Sequence, residues 1–233
     1  MEKKIHDKEL GDITLRSNPR LKHYNLKVRD GVVIASMPER GSEAVLLDFI
    51  NKNRGKLLDS LRESSPQRSL LNEDTEMQTN SFKLHIFRTE RDNVYVKLSQ
   101  GILHIACPVH MDMEGPASQK LLRDVLEKAL RHEARRVLPN RLNTFAGQHG
   151  FKYSKIRINN SKSRWGSCST SGSINLSLSL MLLPDHLINY VLLHELCHTV
   201  EMNHGERFWK IMDKVTDNQS LSLRKELKGY KML

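Results

Sequence analysis

The chain has 233 residues, with 37 Lys and Arg against 27 Asp and Glu for a net charge of +10, and 38% hydrophobic content. That content supports one large core or two modest ones and excludes a disordered tail. No apolar run approaches the ~18 residues of a membrane span, and the start MEKKIHDKELG offers no secretory signal, so no membrane association and a cytoplasmic location are expected.

In chain order, residues 12 to 37 read as short strands with a turn at Arg29-Asp30-Gly31. Val45, Leu46, Phe49, Ile50, Leu57 and Leu61 then follow a helical period, and a polar stretch from Arg62 to Asn80 comes after. Strands recur at 82 to 88, 93 to 98 and 101 to 106. A long helix opens at Pro116, a residue suited to the first helical turn, and carries Leu121, Leu122, Val125, Leu126, Ala129 and Leu130. It is expected to bend or end near Pro139. A shift of 70 residues aligns LKVRDGVVIASMP (Leu26 to Pro38) with VKLSQGILHIACP (Val96 to Pro108). A duplicated hairpin-and-helix unit explains this, and so does the generic look of any hairpin ended by proline. The expected fold class is α+β, with a β-rich scaffold or substrate-selecting region of short strands and helices over 1–112 and a catalytic region over 113–233.

Within the second region, SKSRWGSCSTSG (161–172) is too polar for a core element, yet it carries a Trp and a Cys. It is expected to fold against a site. INLSLSL (174–180) alternates apolar and polar residues, as a half-buried strand does, and is expected to form a sheet edge that an extended peptide could extend. Its polar face lines either a cleft or solvent. A buried helix follows, with Asp185 as a plausible cap and Leu187, Ile188, Val191, Leu192, Leu193, Leu196 and Val200 around it. Glu206 to Val215 reads as a short helix, and SLSLRKELKGYKML as a terminal helix stopped near Gly229.

The chemistry is concentrated in HELCHTVEMNH, His194 to His204. Residues i and i+4 of a helix project about 40° apart, so His194 and His198 can face one ion, and Glu195 lies about 100° further round, able to reach a metal-bound water without being a ligand. His204 must fold back toward this pair, because a continued helix would carry it about 9 Å past His198. Asn203 and Gly205 suit such a turn. A carboxylate third ligand is the other option, with Glu226 ahead of Glu201 and Glu206. Three imidazoles leave a tetrahedral zinc ion one exchangeable position, as catalysis requires. Tyr190, one turn before His194, and Arg164 or Trp165 are candidate contacts to a transition state or substrate. Cys107, Cys168 and Cys197 form no C-x-x-C pair, so a reducing compartment is expected. Cys197 should pack in the core, and Cys168 is either a buried side chain or a fourth, inhibitory ligand.

RWGSC (Arg164 to Cys168), the apolar strand running to Pro184, YVLLHELCH (Tyr190 to His198) and NHGERFW (Asn203 to Trp209) together resemble the YgjP-like metallopeptidase domain, a zincin-type family related to SprT-like and WLM proteins. TLRSNPRLKHYNLKV and DGVVIASMP add a less specific likeness in the front half. The resemblance implies a zincin-like catalytic region with HELCH on its active-site helix. It also implies Zn2+ held by His194, His198 and His204, Glu195 as catalytic base, and Phe208 and Trp209 packed beneath the metal. The family usually carries Asn seven positions ahead of the proline. Ser177 stands there in this chain.

The function expected first is zinc-dependent hydrolysis of peptide bonds in a peptide or protein substrate. Two other functions stay open, hydrolysis of nucleotide phosphoanhydrides and a non-catalytic metal-containing binding module. No phosphate-cradling glycine loop supports the former, and the retained Glu195 argues against the latter. Basic clusters at Arg131 to Arg141 and Lys152 to Arg164 are compatible with weak nucleic-acid association.

Overall fold

The computed structural model describes residues 2–29, 31–64 and 70–232. The chain forms two compact units, Met1–Leu70 and Leu71–Leu233. In the first, β1 (Glu2–Asp7), β2 (Gly11–Ser17), β3 (Asn25–Arg29) and β4 (Val32–Met37) form a sheet in the order β1-β2-β4-β3. The expected turn after β3 includes Asp30, which lies outside the described residues, as do residues 65–69 of the expected polar stretch. Leu10, Ile13, Leu15, Val33 and Ala35 meet Leu46, Ile50 and Leu57 of α1 (Glu43–Lys52) and α2 (Arg54–Ser64) in one core. The helical pattern thus falls into two helices, because α1 stops at Asn53, whose N–H bonds to the carbonyls of Phe49 and Ile50. Strand β1 is not evident from its sequence EKKIHD, because only Ile5 packs against the core and pairing with β2 defines the rest.

The second unit holds two three-stranded sheets. β5 (Lys83–Thr89), β6 (Tyr95–Ser99) and β7 (Ile102–Pro108) run in the order β5-β7-β6. β8 (Lys155–Asn159), β9 (Gly166–Cys168) and β10 (Ser173–Ser177) run in the order β8-β10-β9. Between them lies α3 (Pro116–His149), and after them come a 3-10 turn (Leu178–Leu182), α4 (Asp185–Cys197), α5 (Glu206–Val215) and α6 (Ser220–Leu227). The fold is α+β. Leu84, Ile86, Leu103, Ile105 and Cys107 of β5 and β7 share a single buried cluster with Leu122, Leu126, Leu130 and Leu138 of α3 and with Leu187, Ile188 and Leu192 of α4. Packing therefore groups the hairpin sheet with the helices, with the division at Leu70/Leu71, whereas the pattern of elements along the chain suggests a division after residue 112.

Both units repeat one motif. β2 is parallel to β4 and β3 antiparallel to it, just as β5 is parallel to β7 and β6 antiparallel to it. Asn25 pairs with Ser36 and Tyr95 with Ala106, so the 70-residue shift seen in the sequence also preserves the hairpin register. The duplicated-unit explanation gains a structural counterpart.

Of the two outcomes expected at Pro139, a bend or an end, the helix does not end there: α3 runs 34 residues to His149, where Gly150 caps it with φ 71°. Proline removes one intrahelical hydrogen bond, and burial of Leu138 and Leu142 on either side of it holds the helix in place. INLSLSL does not form an edge strand. β10 lies between β8 and β9 and ends at Ser177, and Leu178 to Met181 continue as a buried 3-10 turn. Of the polar residues Asn175, Ser177 and Ser179, both serines are buried and only Asn175 is half-buried. The Ser177 hydroxyl donates to the Ser161 carbonyl at 3.0 Å and accepts from the Ser179 N–H at 3.2 Å, which ties down the loop leading to RWGSC.

In the first unit, Asp7 accepts a bidentate pair of hydrogen bonds from Arg54 at 2.9 and 2.8 Å, together with the N–H groups of Glu9 and Leu10. The Arg54 bonds, followed by the backbone donors, hold the Asp7 carboxyl well below its ordinary range. A depressed carboxyl stabilises the fold above its unfolded pKa of about 3.9, and that contribution disappears as pH falls toward the folded value. Asp7→Asn is expected to lower the thermal midpoint of this unit at pH 6, with the gap to wild type closing as pH falls below about 4. Melting curves across that range check it.

Candidate metal centre

Helix α4 is apolar on almost every side. Leu187, Ile188, Tyr190, Val191, Leu192, Leu193, Leu196 and Cys197 are all buried, so from Leu187 onward the helix lies inside the unit, with Glu195 buried and His194 half-buried along with it, while Asp185 and His186 in the first turn are exposed. Its N-cap is Pro184 rather than Asp185. Asp185 sits in the first turn and accepts hydrogen bonds from Arg141 and, at 3.1 Å, from Asn80. The helix ends at Cys197, and His198 keeps a helical conformation as C-cap (φ −66°, ψ −15°), so the i, i+4 relation to His194 is preserved.

The chain then turns. Thr199, Val200 and Glu201 N–H groups bond back to Leu196 and Cys197 carbonyls, and His204 returns over the helix pair. The turn needs no left-handed residue. Asn203 is not among the described residues of positive φ, and Gly205 has φ −79° as N-cap of α5. Phe208 supports the arrangement, fully buried with its ring centroid 4.9, 4.6 and 4.7 Å from those of His194, His198 and His204. Trp209 donates from Nε1 to the His204 carbonyl at 3.1 Å. The expected packing of both aromatics beneath the histidines is observed.

Nε2 of His194 lies 3.2 Å from Nε2 of His198 and 3.1 Å from Nε2 of His204. Two imidazole nitrogens each ~2.0–2.1 Å from one tetrahedral ion would be about 3.3 Å apart, so the spacing fits a single divalent cation. The tautomers fit as well. His198 Nδ1 donates to the Glu201 carbonyl at 3.1 Å, which leaves the Nε2 lone pair of the neutral ring directed at the cluster. Burial, then the neighbouring His198 and His204, push His194 down to about 3, and burial also lowers His204. Both shifts favour the neutral rings a metal requires. Among the described residues this is the one group of three or more His, Cys, Asp or Glu able to hold a metal. Glu226 instead meets His186 at 2.7 Å, and Glu201 contributes its carbonyl to His198.

Glu195 is 5% exposed beside this cluster, and its Oε2 is buried without a hydrogen-bond partner. Burial raises it to about 8, opposed by the charge of Arg164. An unsatisfied buried carboxylate oxygen is costly, and its presence next to converging nitrogen lone pairs marks a place for a cation. Tyr190 is 3% exposed with its ring 6.0 Å from that of His194. Trp165 packs against the core and Arg164 is exposed. Cys168 is half-buried, and burial followed by the Glu195 charge raises it to about 11. Cys197 is buried in the core.

Two further residues lie near the site. Gly166, within the RWGSC segment expected to fold against a site, lies against the Glu195 side chain. Arg224 of α6 stacks over the Trp209 ring at 5.0 Å, and its charge is felt at His194 and His204. Arg224 carries no motif signal, and although RWGSC is expected beside the site, only the packing of β9 and α6 reveals which side chains these two residues meet. Adding a divalent metal to metal-free protein is expected to stabilise the fold by about 2.7 kcal/mol at a hundredfold excess over Kd, and so to raise the thermal midpoint. His198→Ala should abolish most of that rise, and differential scanning fluorimetry with and without chelator measures it.

Residues 22–230 match the family model YgjP-like, metallopeptidase domain. A search of curated proteins finds no match. Among solved structures, the metallopeptidase zymogen abylysin of Pyrococcus abyssi is 21% identical, with a TM-score of 0.37 over 42% of this chain and 100% of that one. The zymogen jannalysin of Methanocaldococcus jannaschii is 22% identical, with a TM-score of 0.32 over 39% and 96%. The family match spans nearly the whole chain and includes the three histidines and Glu195, and the chain belongs to the YgjP-like metallopeptidase domain family.

Proposed function

We propose that this chain is a zinc-dependent peptidase of the zincin type, in which His194, His198 and His204 hold the ion and Glu195 is the general base. The observation that carries this is the convergence of three Nε2 atoms, two pairs of them 3.1–3.2 Å apart, beside a buried carboxylate with a free oxygen. Three neutral imidazoles suit zinc and leave one position exchangeable. When bound, zinc acts as a Lewis acid that polarises a peptide carbonyl and lowers the pKa of a water.

The remaining work falls to the protein. Glu195, whose pKa burial raises to about 8 and an adjacent cation would lower, favouring the carboxylate, accepts a proton from the attacking water. It then returns that proton to the departing amine nitrogen. Phe208 and Trp209 keep the rings in register through apolar contact and through the hydrogen bond to the His204 carbonyl. Of the substrate-contact candidates, Arg164 has the exposed and chemically available group. Tyr190 and Trp165 are committed to packing.

One observation favours a second reading, hydrolysis of a nucleotide phosphoanhydride. Arg164 and Arg224 are both near the site and carry no ion-pair partner among the described residues, whereas Arg131, Arg136 and Arg141 of the basic stretch are paired to Glu127, Glu133 and Asp185. The exposed Arg164 guanidinium, more than the Arg224 group stacked on Trp209, suits a phosphate.

Glu195→Gln is expected to lower peptide turnover by about 10²–10⁴-fold while the zinc content stays unchanged. Peptide and nucleoside triphosphate assays on zinc-loaded parent and variant, with metal analysis of both, check it. Turnover of the nucleotide alone would move the assignment to the second reading. Bound zinc with no turnover of either would leave a binding module.

A further inference from the structure

Glu195 is held in an unusual way. Its Oε2 is buried without a hydrogen-bond partner. What borders it is the backbone of β9. A Cβ placed on Gly166 would lie 2.6 Å from Glu195 Oε1, 2.7 Å from Cγ and 2.8 Å from Cδ, all closer than real Cβ contacts. Gly166 does not have a left-handed φ, so its backbone conformation is open to any residue. The requirement for glycine at this position is steric, and it comes from Glu195.

The strand cannot easily yield. β9 is laddered to β10 through Cys168–Ile174, Ser167–Asn175 and Gly166–Leu176, and the Ser177 N–H bonds to the Trp165 carbonyl at 2.8 Å. β10 is the central strand, with Ile174 and Leu176 fully buried. Backing β9 off by the width of a methyl group would break a ladder anchored in the core. Helix α4 is equally fixed, because it is buried on almost all sides. The remaining freedom is in the Glu195 side chain, whose rotamer must change if Gly166 gains an atom.

We infer that Gly166 is the positioning residue for Glu195: the bare backbone of β9 acts as the wall that sets where the carboxylate stands relative to the histidine cluster. Glu195 is placed by contact rather than by hydrogen bonds. A carboxylate fastened by donors would have its oxygens occupied. One confined by a wall keeps an oxygen available for a proton. This role in turnover rests on the peptidase reading. The steric coupling of the two residues does not.

The test separates the two. In metal-free protein, Gly166→Ala is expected to lower the thermal midpoint by several degrees, as overpacking does. In a Glu195→Ala background, where the space is vacated, the same change is expected to leave the midpoint almost unaltered. A loss of equal size in both backgrounds, or failure of the double variant to fold, would overturn the proposal, since glycine would then be needed by β9 for its own sake. On zinc-loaded protein, Gly166→Ala should lower kcat by about 100-fold, the effect of a reacting group displaced by ~1 Å, with KM and zinc stoichiometry unchanged. Thermal coupling with an unchanged kcat, in a parent that turns over peptide, would refute the positioning role. If the parent cleaves no peptide, the thermal cycle still decides whether the two residues are in contact.

Discussion

A helix that is apolar on nearly every side has to be buried, and burying α4 takes His194 and Glu195 out of water with it. The other features of the site follow from that constraint. Desolvation keeps the His194 ring neutral and pushes the Glu195 carboxyl up. The same apolar packing that makes α4 a rigid support leaves few donors for either group, so His194 Nδ1 and Glu195 Oε2 both stand without partners. Buried groups left in that state destabilise a metal-free fold, and a bound cation offsets the cost. Stability and metal binding are therefore linked in the same few atoms.

The third histidine needs a different device. His204 lies beyond the end of α4 and reaches the site because the chain folds back after His198 and α5 begins at Glu206, with Phe208 inserted below all three rings. The aromatic floor and the Trp209 bond to the His204 carbonyl restrain a ring on an otherwise exposed turn. On the other side, β9 confines Glu195. The site is thus enclosed by a helix, a returning turn and a strand, all within one core, which is the arrangement that keeps reacting groups to fixed distances.

Family membership and site geometry agree on the class of chemistry and differ in reach. The family match identifies a metallopeptidase domain. The geometry adds three imidazoles whose spacing fits one divalent cation and a buried carboxylate oxygen without a hydrogen-bond partner.

By itself the sequence determined the class of the fold and brought forward the residues proposed for the centre. HELCH sets two histidines on one helix face through the 3.6-residue period, and the apolar residues around them specify burial; both are local properties. Strands β5 to β7 and the repeated hairpin were legible within a residue or two for the same reason, since alternation and turn residues are written along the chain. Tertiary structure alone decided where β10 lies in its sheet, that α3 passes through Pro139, and that Asp185 pairs with Arg141 instead of capping a helix. It also decided that Gly166 meets Glu195 and that Arg224 lies over Trp209. Each of these depends on residues far apart in the chain brought into contact by burial, and no local period or propensity encodes which distant surface will be there to meet them.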